Sequence, residues 1–193
     1  MEFGWKYIWK LYGWKKLFDF KNRCFYFSIL CVLISTLAVF LYSKKEDDIT
    51  ILIEKIVDLG ISMLPTLLGF NLGAYALIIG FLGNKVLLAA LIEKQQNSSQ
   101  SHLENLSSIF AVNIIIQAFS LLCSFLIKMF MGFEELDLNI FDVPNNFRVV
   151  FNYFIFVISS FFSLYSIVLV IQNVINIFDF SQLFIYFSMK KEE

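Results

Sequence analysis

The chain has 193 residues, of which 59% are hydrophobic and 16% are charged, and its mean hydropathy is +0.73. Because a soluble domain is about 45–50% apolar and about 25% charged, this composition excludes a water-soluble globular domain. The formal net charge of −1 argues against direct nucleic-acid binding, and a single histidine with three cysteines that form no CxxC pair argues against metal centres, disulfide frameworks and histidine-based catalysis.

The amino-terminal segment, residues 1–23, interleaves aromatic and basic side chains in MEFGWKYIWKLYGWKKLFDFKNR. Tryptophan and lysine are favoured at the level of the lipid headgroups, beside anionic lipids. We expect an amphipathic helix on the inner leaflet, either a plain flank of the first span or a regulatory membrane sensor. The residues expected to anchor it to the membrane surface are Trp5, Lys6, Trp9, Lys10, Trp14, Lys15 and Lys16.

Four uncharged apolar stretches predict four membrane-spanning helices, at about residues 24–43, 60–84, 109–127 and 149–173. Each is close to or longer than the roughly 20 residues that cross a hydrocarbon core of about 30 Å. The predicted fold is therefore an all-α integral membrane protein. A four-transmembrane-helix bundle over 24–178 follows the interfacial amphipathic helix, and a short tail at 179–193 ends the chain.

The distribution of charge predicts how the chain is oriented. The segments on the side of the two termini hold ten basic and seven acidic residues, and those on the other side hold five basic and nine acidic residues. Because lysine and arginine are enriched on the cytoplasmic side, both termini are expected in the cytosol. The segments on the side of the two termini are 1–23, 85–108 and 179–193. Those on the other side are 44–58 and 128–148.

The second span has two features that affect its length and shape. Residues 49–58 before it carry apolar side chains at helical spacing, with charges on the other face. They are expected to form either a short interfacial helix or an extension of the span. Inside the span, Pro65 removes one helical hydrogen bond and is expected to kink the helix.

The second span also contains five of the eight glycines, in GISMLPTLLGFNLGAYALIIGFLG. Small residues that recur at steps of four, three, four and three form one stripe along a helix, and such a stripe lets another helix approach closely. We therefore predict a helix-packing or oligomer interface, either inside one protomer or between protomers. The stripe consists of Gly69, Gly73, Ala76, Gly80 and Gly83.

The third span has a polar face formed by Asn113, Gln117, Ser120 and Ser124, at spacings of four, three and four residues. The fourth span repeats the pattern more weakly, and Asn71 adds a polar group to the second. Uncharged polar groups in hydrocarbon need partners, which predicts adhesion between helices. The alternative is a water-filled channel or cavity that forms when copies assemble.

The uncharged stretches contain no Asp, Glu, Lys, Arg or His. Proton relays and ion-coupling sites depend on such groups inside the membrane, so an ion pump, a proton-coupled transporter or an intramembrane enzyme is disfavoured. No phosphate-cradling glycine motif is present either, and no cofactor is expected.

Residues 59–84, LGISMLPTLLGFNLGAYALIIGFLGN, together with the four spans and the aromatic-basic start, resemble the KwaA family, the membrane subunits of the bacterial Kiwa anti-phage defence system. The resemblance implies an oligomeric inner-membrane assembly that responds to phage infection. It also implies a soluble DNA-binding partner, KwaB, recruited on the cytoplasmic face, and it supplies no catalytic residue.

The sequence thus predicts a non-enzymatic sensor or scaffold that forms a homo-oligomer, with a tetramer as the working assumption, and recruits a soluble cytoplasmic partner. Residues 95–108 and 179–193 are expected to offer the docking surface. The alternative is a pore-forming or membrane-disrupting effector that depolarises the cell when it is triggered, with the polar face of the third span as its lining.

Overall fold

The computed structural model describes residues 4–13, 22–42, 46–83, 85–92, 101–135 and 145–189, and these ranges contain helices and no β-strand. Four of the helices are long and apolar enough to cross a membrane. The predicted fold class, an all-α membrane protein with a four-helix bundle, is thereby confirmed. The helices are α1 (Trp5–Tyr12), α2 (Arg23–Tyr42), α3 (Glu46–Phe81), α4 (Lys85–Ile92), α5 (His102–Glu135) and α6 (Asn145–Met189).

Three of the spanning helices extend beyond the uncharged stretches that predict them. Helix α3 begins at Glu46, so residues 49–58 extend the second span, and the helix continues through Pro65. Helix α6 continues to Met189, so most of the predicted tail is helical. Its residue Phe180 is buried, because the apolar side chains after Asp179 continue to pack against α3 and α4.

Helix α5 begins inside the segment that the sequence suggests is a polar loop. The backbone N–H of Glu104 donates to Ser101 Oγ at 3.2 Å, and the N–H of Ser101 donates to Glu104 Oε2 at 3.0 Å. This reciprocal pair is a capping box, which satisfies two backbone donors at the start of a helix. The helix consequently includes residues 102–108, which belong to the predicted docking loop, while residues 93–100 lie outside the described part of the chain.

The four long helices alternate in direction. At one end of the bundle Lys128 Nζ of α5 lies 2.8 Å from Glu54 Oε1 and 3.0 Å from Asp58 Oδ1 of α3. At the other end the hydroxyls of Tyr75 and Ser107 are 2.8 Å apart, so α3 and α5 are antiparallel. We call these the ion-paired end and the shared end.

The first described helix and the end of the last one both lie at the shared end. The Tyr7 hydroxyl of α1 donates to Glu104 Oε1 in the first turn of α5 at 2.8 Å. The ring centroids of Phe81, the last residue of α3, and Phe184 of α6 are 4.9 Å apart. Helix α1 and the carboxyl-terminal part of α6 therefore lie at one end of the bundle.

Helix α1 has the predicted amphipathic character, but its apolar face is covered by protein. Trp9 and Tyr12 are only 8% and 7% exposed, and burial raises the pKa of the Tyr12 hydroxyl. The expectation that Trp9 anchors the chain to lipid is therefore corrected, whereas Lys6 and Lys10 are exposed. The side chain of Trp5 and residues Trp14, Lys15 and Lys16 lie outside the described part of the chain. The cluster around Trp9 and Tyr12 contains Phe25, Val112, Ile116, Tyr165 and Leu169.

The position of α2 explains why α1 packs in this way. Phe25, near the start of α2, contacts Tyr165 near the middle of α6, with ring centroids 6.0 Å apart. Helix α2 therefore covers only the half of α6 towards the ion-paired end. On the other half α1 packs against α5, and its cluster reaches Tyr165 and Leu169 of α6.

We predict that Trp9→Ala lowers the thermal unfolding temperature of the purified protein in detergent, whereas Lys6→Ala leaves it unchanged. Truncation of a buried Trp costs about 3–5 kcal/mol in protein cores, and detergent that enters the space reduces this cost. Differential scanning fluorimetry of the two variants and the parent measures the effect. Equal unfolding temperatures for all three would contradict the packing of α1 against the bundle.

Candidate functional site

The glycine stripe of α3, which we call the glycine face, points away from the bundle. All five of its residues are exposed. A Cβ atom built at Gly69, Gly73 or Gly80 would have no described atom within 4 Å outside its own helix. The glycine face is therefore not a contact between the described helices of one protomer, and of the two predicted alternatives only an interface between protomers remains as a proposal. Its residues on α3 are Gly69, Gly73, Ala76 and Gly80. Gly83 also belongs to the predicted stripe, but it lies in the turn that follows the end of the helix at Phe81.

The direction of the glycine face follows from the position of Asn71, which is fully buried. Successive residues of an α-helix are about 100° apart, so Gly69 and Gly73, two positions away on either side, point about 160° away from Asn71. Gly80 follows Asn71 by nine residues, about two and a half turns, and also points outward.

The glycine that does allow a close approach of helices is Gly60. A Cβ atom at this position would lie 2.8 Å from Ser124 Oγ and 3.5 Å from Ser163 Oγ, so α5 and α6 approach the backbone of α3 here. Gly60 lies outside the stripe and was not predicted as a packing residue. Its spacing from buried Leu64 and Asn71, four and eleven residues, is the signal that places it on the inner face.

An apolar groove of about 630 Å³ lies beside the glycine face, between α3 and the carboxyl-terminal part of α6. Gly69, Gly73 and Leu77 line it on α3. Ile177 and Phe184 line it on α6. The groove exists because two glycines leave space where the neighbouring positions of both helices carry large side chains.

The polar face of α5 is buried inside the bundle, as adhesion between helices requires. Asn71 Nδ2 of α3 donates to Gln117 Oε1 at 2.7 Å, and Gln117 Nε2 donates to the backbone carbonyl of Ser166 of α6 at 3.2 Å. Asn113 Nδ2 donates to Asn173 Oδ1 of α6. We call this group the polar core. It comprises Asn71, Asn113, Gln117, Ser120, Ser124, Ser166 and Asn173, all of which are buried.

The location of the polar core bears on the channel alternative. Asn113 and Gln117 are completely enclosed by the helices of one protomer. A lumen that formed between copies would need these side chains on the outer surface. The four residues predicted as a lining therefore lie together, but inside the protomer.

The described residues offer little other chemistry. Nowhere in the ranges that the structure describes do three His, Cys, Asp or Glu side chains form a group that could hold a metal ion. Cys24, Cys31 and Cys123 are free thiols. The charged cluster of Lys128, Glu54 and Asp58 joins α3 to α5 at the ion-paired end and is partly exposed.

We predict that Gly60→Leu destabilises the protomer and that Gly80→Leu does not. Overpacking of a filled site costs about 1–3 kcal/mol, whereas the space outside Gly80 is open. Thermal unfolding in a detergent that keeps the chain monomeric compares two identical substitutions on one helix. If both variants unfold at the same temperature as the parent, the close approach at Gly60 is refuted.

Comparison of the chain with protein-family models, with curated proteins and with solved structures found no match. The two features of the described residues that bear on function are the exposed glycine face and the buried polar core.

Proposed function

We propose that the protein is a non-enzymatic sensor or scaffold of the bacterial inner membrane that self-associates through the glycine face of α3. The exposure of this face is the observation that carries the proposal. Lipid supplies no hydrophobic driving force between helices, so close contact at small residues is a main source of helix association in membranes. Within the described part of one protomer no helix uses the face, which leaves it for a second copy.

The groove beside the glycine face supports the same proposal. Gly69 and Gly73 belong to both features, so the open surface of α3 continues into a concave apolar strip along α6. A helix of another copy that contacts the glycines would place its larger side chains in this groove. Ring-like assemblies, including the tetramer assumed from the sequence, arise when such a contact repeats around an axis.

Recruitment of a soluble partner is the second part of the proposal. Helix α1, the first turn of α5 and the end of α6 lie at the shared end, and the excess of basic residues in the segments at this end favours the cytosol. A partner that approached the shared end would meet residues of these three helices. The resemblance to the membrane subunits of the Kiwa system supports a role in anti-phage defence, with a KwaB-like protein as the partner.

We predict that Gly73→Leu lowers the mass of the purified assembly and leaves the unfolding temperature of the monomer unchanged. The added side chain would occupy the surface where a second helix must approach, and it meets no described atom in its own protomer. Ala38→Leu, on the exposed surface of α2, is the matched control and is expected to leave the mass unchanged. Native mass spectrometry or light scattering in detergent measures the mass, and an assembly of parental mass in Gly73→Leu would overturn self-association through this face.

A second candidate is a pore-forming effector that depolarises the cell when triggered. The observation that favours it is the polar core, whose side chains come from three helices and extend along α5 from Asn113 to Ser124, a length of about 16 Å. Water or ions would pass along these side chains only if α3, α5 and α6 moved apart within one protomer.

For the scaffold we predict that liposomes containing the purified protein alone stay sealed to ions. The side chains of the polar core are enclosed and hydrogen-bonded across the helices, which closes the path. A fluorescence assay of potassium-driven proton flux measures the leak, with protein-free liposomes as the control. Robust conductance without any partner would favour the effector and contradict the scaffold.

A further inference from the structure

The polar core has more hydrogen-bonding atoms than partners. Asn71 uses its amide nitrogen for Gln117, and its Oδ1 has no partner among the described residues. Asn113 uses its nitrogen for Asn173, which leaves Asn113 Oδ1 and Asn173 Nδ2 without partners in the same part of the chain. All three side chains are 0% exposed.

The imbalance does not depend on how the amide groups are oriented. In the Asn113–Asn173 pair one side chain donates through nitrogen and the other accepts through oxygen. Exchanging nitrogen and oxygen in both groups reverses the bond, and the pair still has one unused oxygen and one unused nitrogen. The pair therefore has one spare acceptor and one spare donor in either arrangement.

Buried serine hydroxyls also lack partners, but they are weaker evidence for a ligand than the asparagine amides. The Oγ atoms of Ser120, Ser163 and Ser166 are buried and have no partner in the described residues. A helical serine can turn its hydroxyl to the carbonyl of the preceding turn, as Ser159 does with Ile155 O at 2.8 Å. An asparagine amide with one end fixed has no such freedom.

A buried polar atom without a partner costs about 1–3 kcal/mol. The surrounding hydrocarbon offers no hydrogen bonds, so the spare atoms require a ligand that enters the bundle. A cation would satisfy Asn71 Oδ1 and Asn113 Oδ1, but the amide NH₂ of Asn173 would face it with positive charge. A molecule that both donates and accepts satisfies all three atoms.

We propose that the polar core is a binding site for internal water, which bridges Asn71, Asn113 and Asn173 and joins α3, α5 and α6. A buried water makes about three hydrogen bonds, so one molecule has the capacity to satisfy the three spare amide atoms. The site takes a small neutral ligand with both donor and acceptor capacity. It is independent of self-association through the glycine face.

Solid-state NMR of the full chain in lipid bilayers tests the proposal through magnetisation transfer from water protons to side-chain NH₂ groups. The NH₂ of Asn173 and Asn71 are expected to receive magnetisation within short mixing times. The backbone N–H of Val112, which is equally buried and precedes Asn113 by one residue, is the internal control and is expected to receive none. If the signal of Asn173 stays as low as that of Val112, the core is dry and the proposal is overturned.

A second measurement separates water from a cation. The unfolding temperature of the same protein is compared in sodium, potassium and choline chloride at equal ionic strength. Bound water predicts equal temperatures in the three salts. A specific rise in one alkali salt would assign the site to that cation and overturn the proposal, whatever the NMR result.

Discussion

The hydrogen bonds of the polar core set the rotation of the three central helices about their axes. Gln117 contacts Asn71 of α3 and the backbone of Ser166 of α6, so one side chain joins three helices. In lipid, apolar side chains do not distinguish strongly between protein and membrane, whereas a carboxamide strongly prefers a partner. Once Asn71 faces inward, Gly69 and Gly73 must face outward, and Gly60 and Leu64 must face α5. The exposed and the buried surfaces of α3 both follow from this constraint.

The second organising feature is the offset between α2 and the other long helices. Phe25 at the start of α2 already lies beside Tyr165, so α2 leaves part of α5 and α6 uncovered. A short amphipathic helix then fills the fourth position of the bundle at the shared end. Helix α1 thereby becomes part of the helix packing.

The number of spans, their approximate positions and the polar face of α5 could be predicted from the sequence, because apolar length and a 3.6-residue period are local properties of the chain. The direction in which the glycine face points could not be predicted. A period identifies a face and does not say whether it meets protein or lipid, and in a membrane protein both surroundings are apolar. The same ambiguity explains why Trp9 is predicted to anchor the chain to lipid although it is buried. Aromatic and basic neighbours are typical of a headgroup anchor as well as of a helix that packs against protein. The packing role of Gly60 could not be predicted either, because it depends on Ser124 and Ser163, which are distant in sequence.

Glu104 divides its carboxylate between two tasks. Oε2 holds the first turn of α5 through the capping box, and Oε1 accepts the hydrogen bond from Tyr7. Detachment of α1 would break the hydrogen bond that Oε1 accepts from Tyr7 at the first turn of α5. A single acidic side chain thus couples the amino-terminal helix to the start of α5, so a movement of α1 is transmitted through Glu104 to the first turn of that helix.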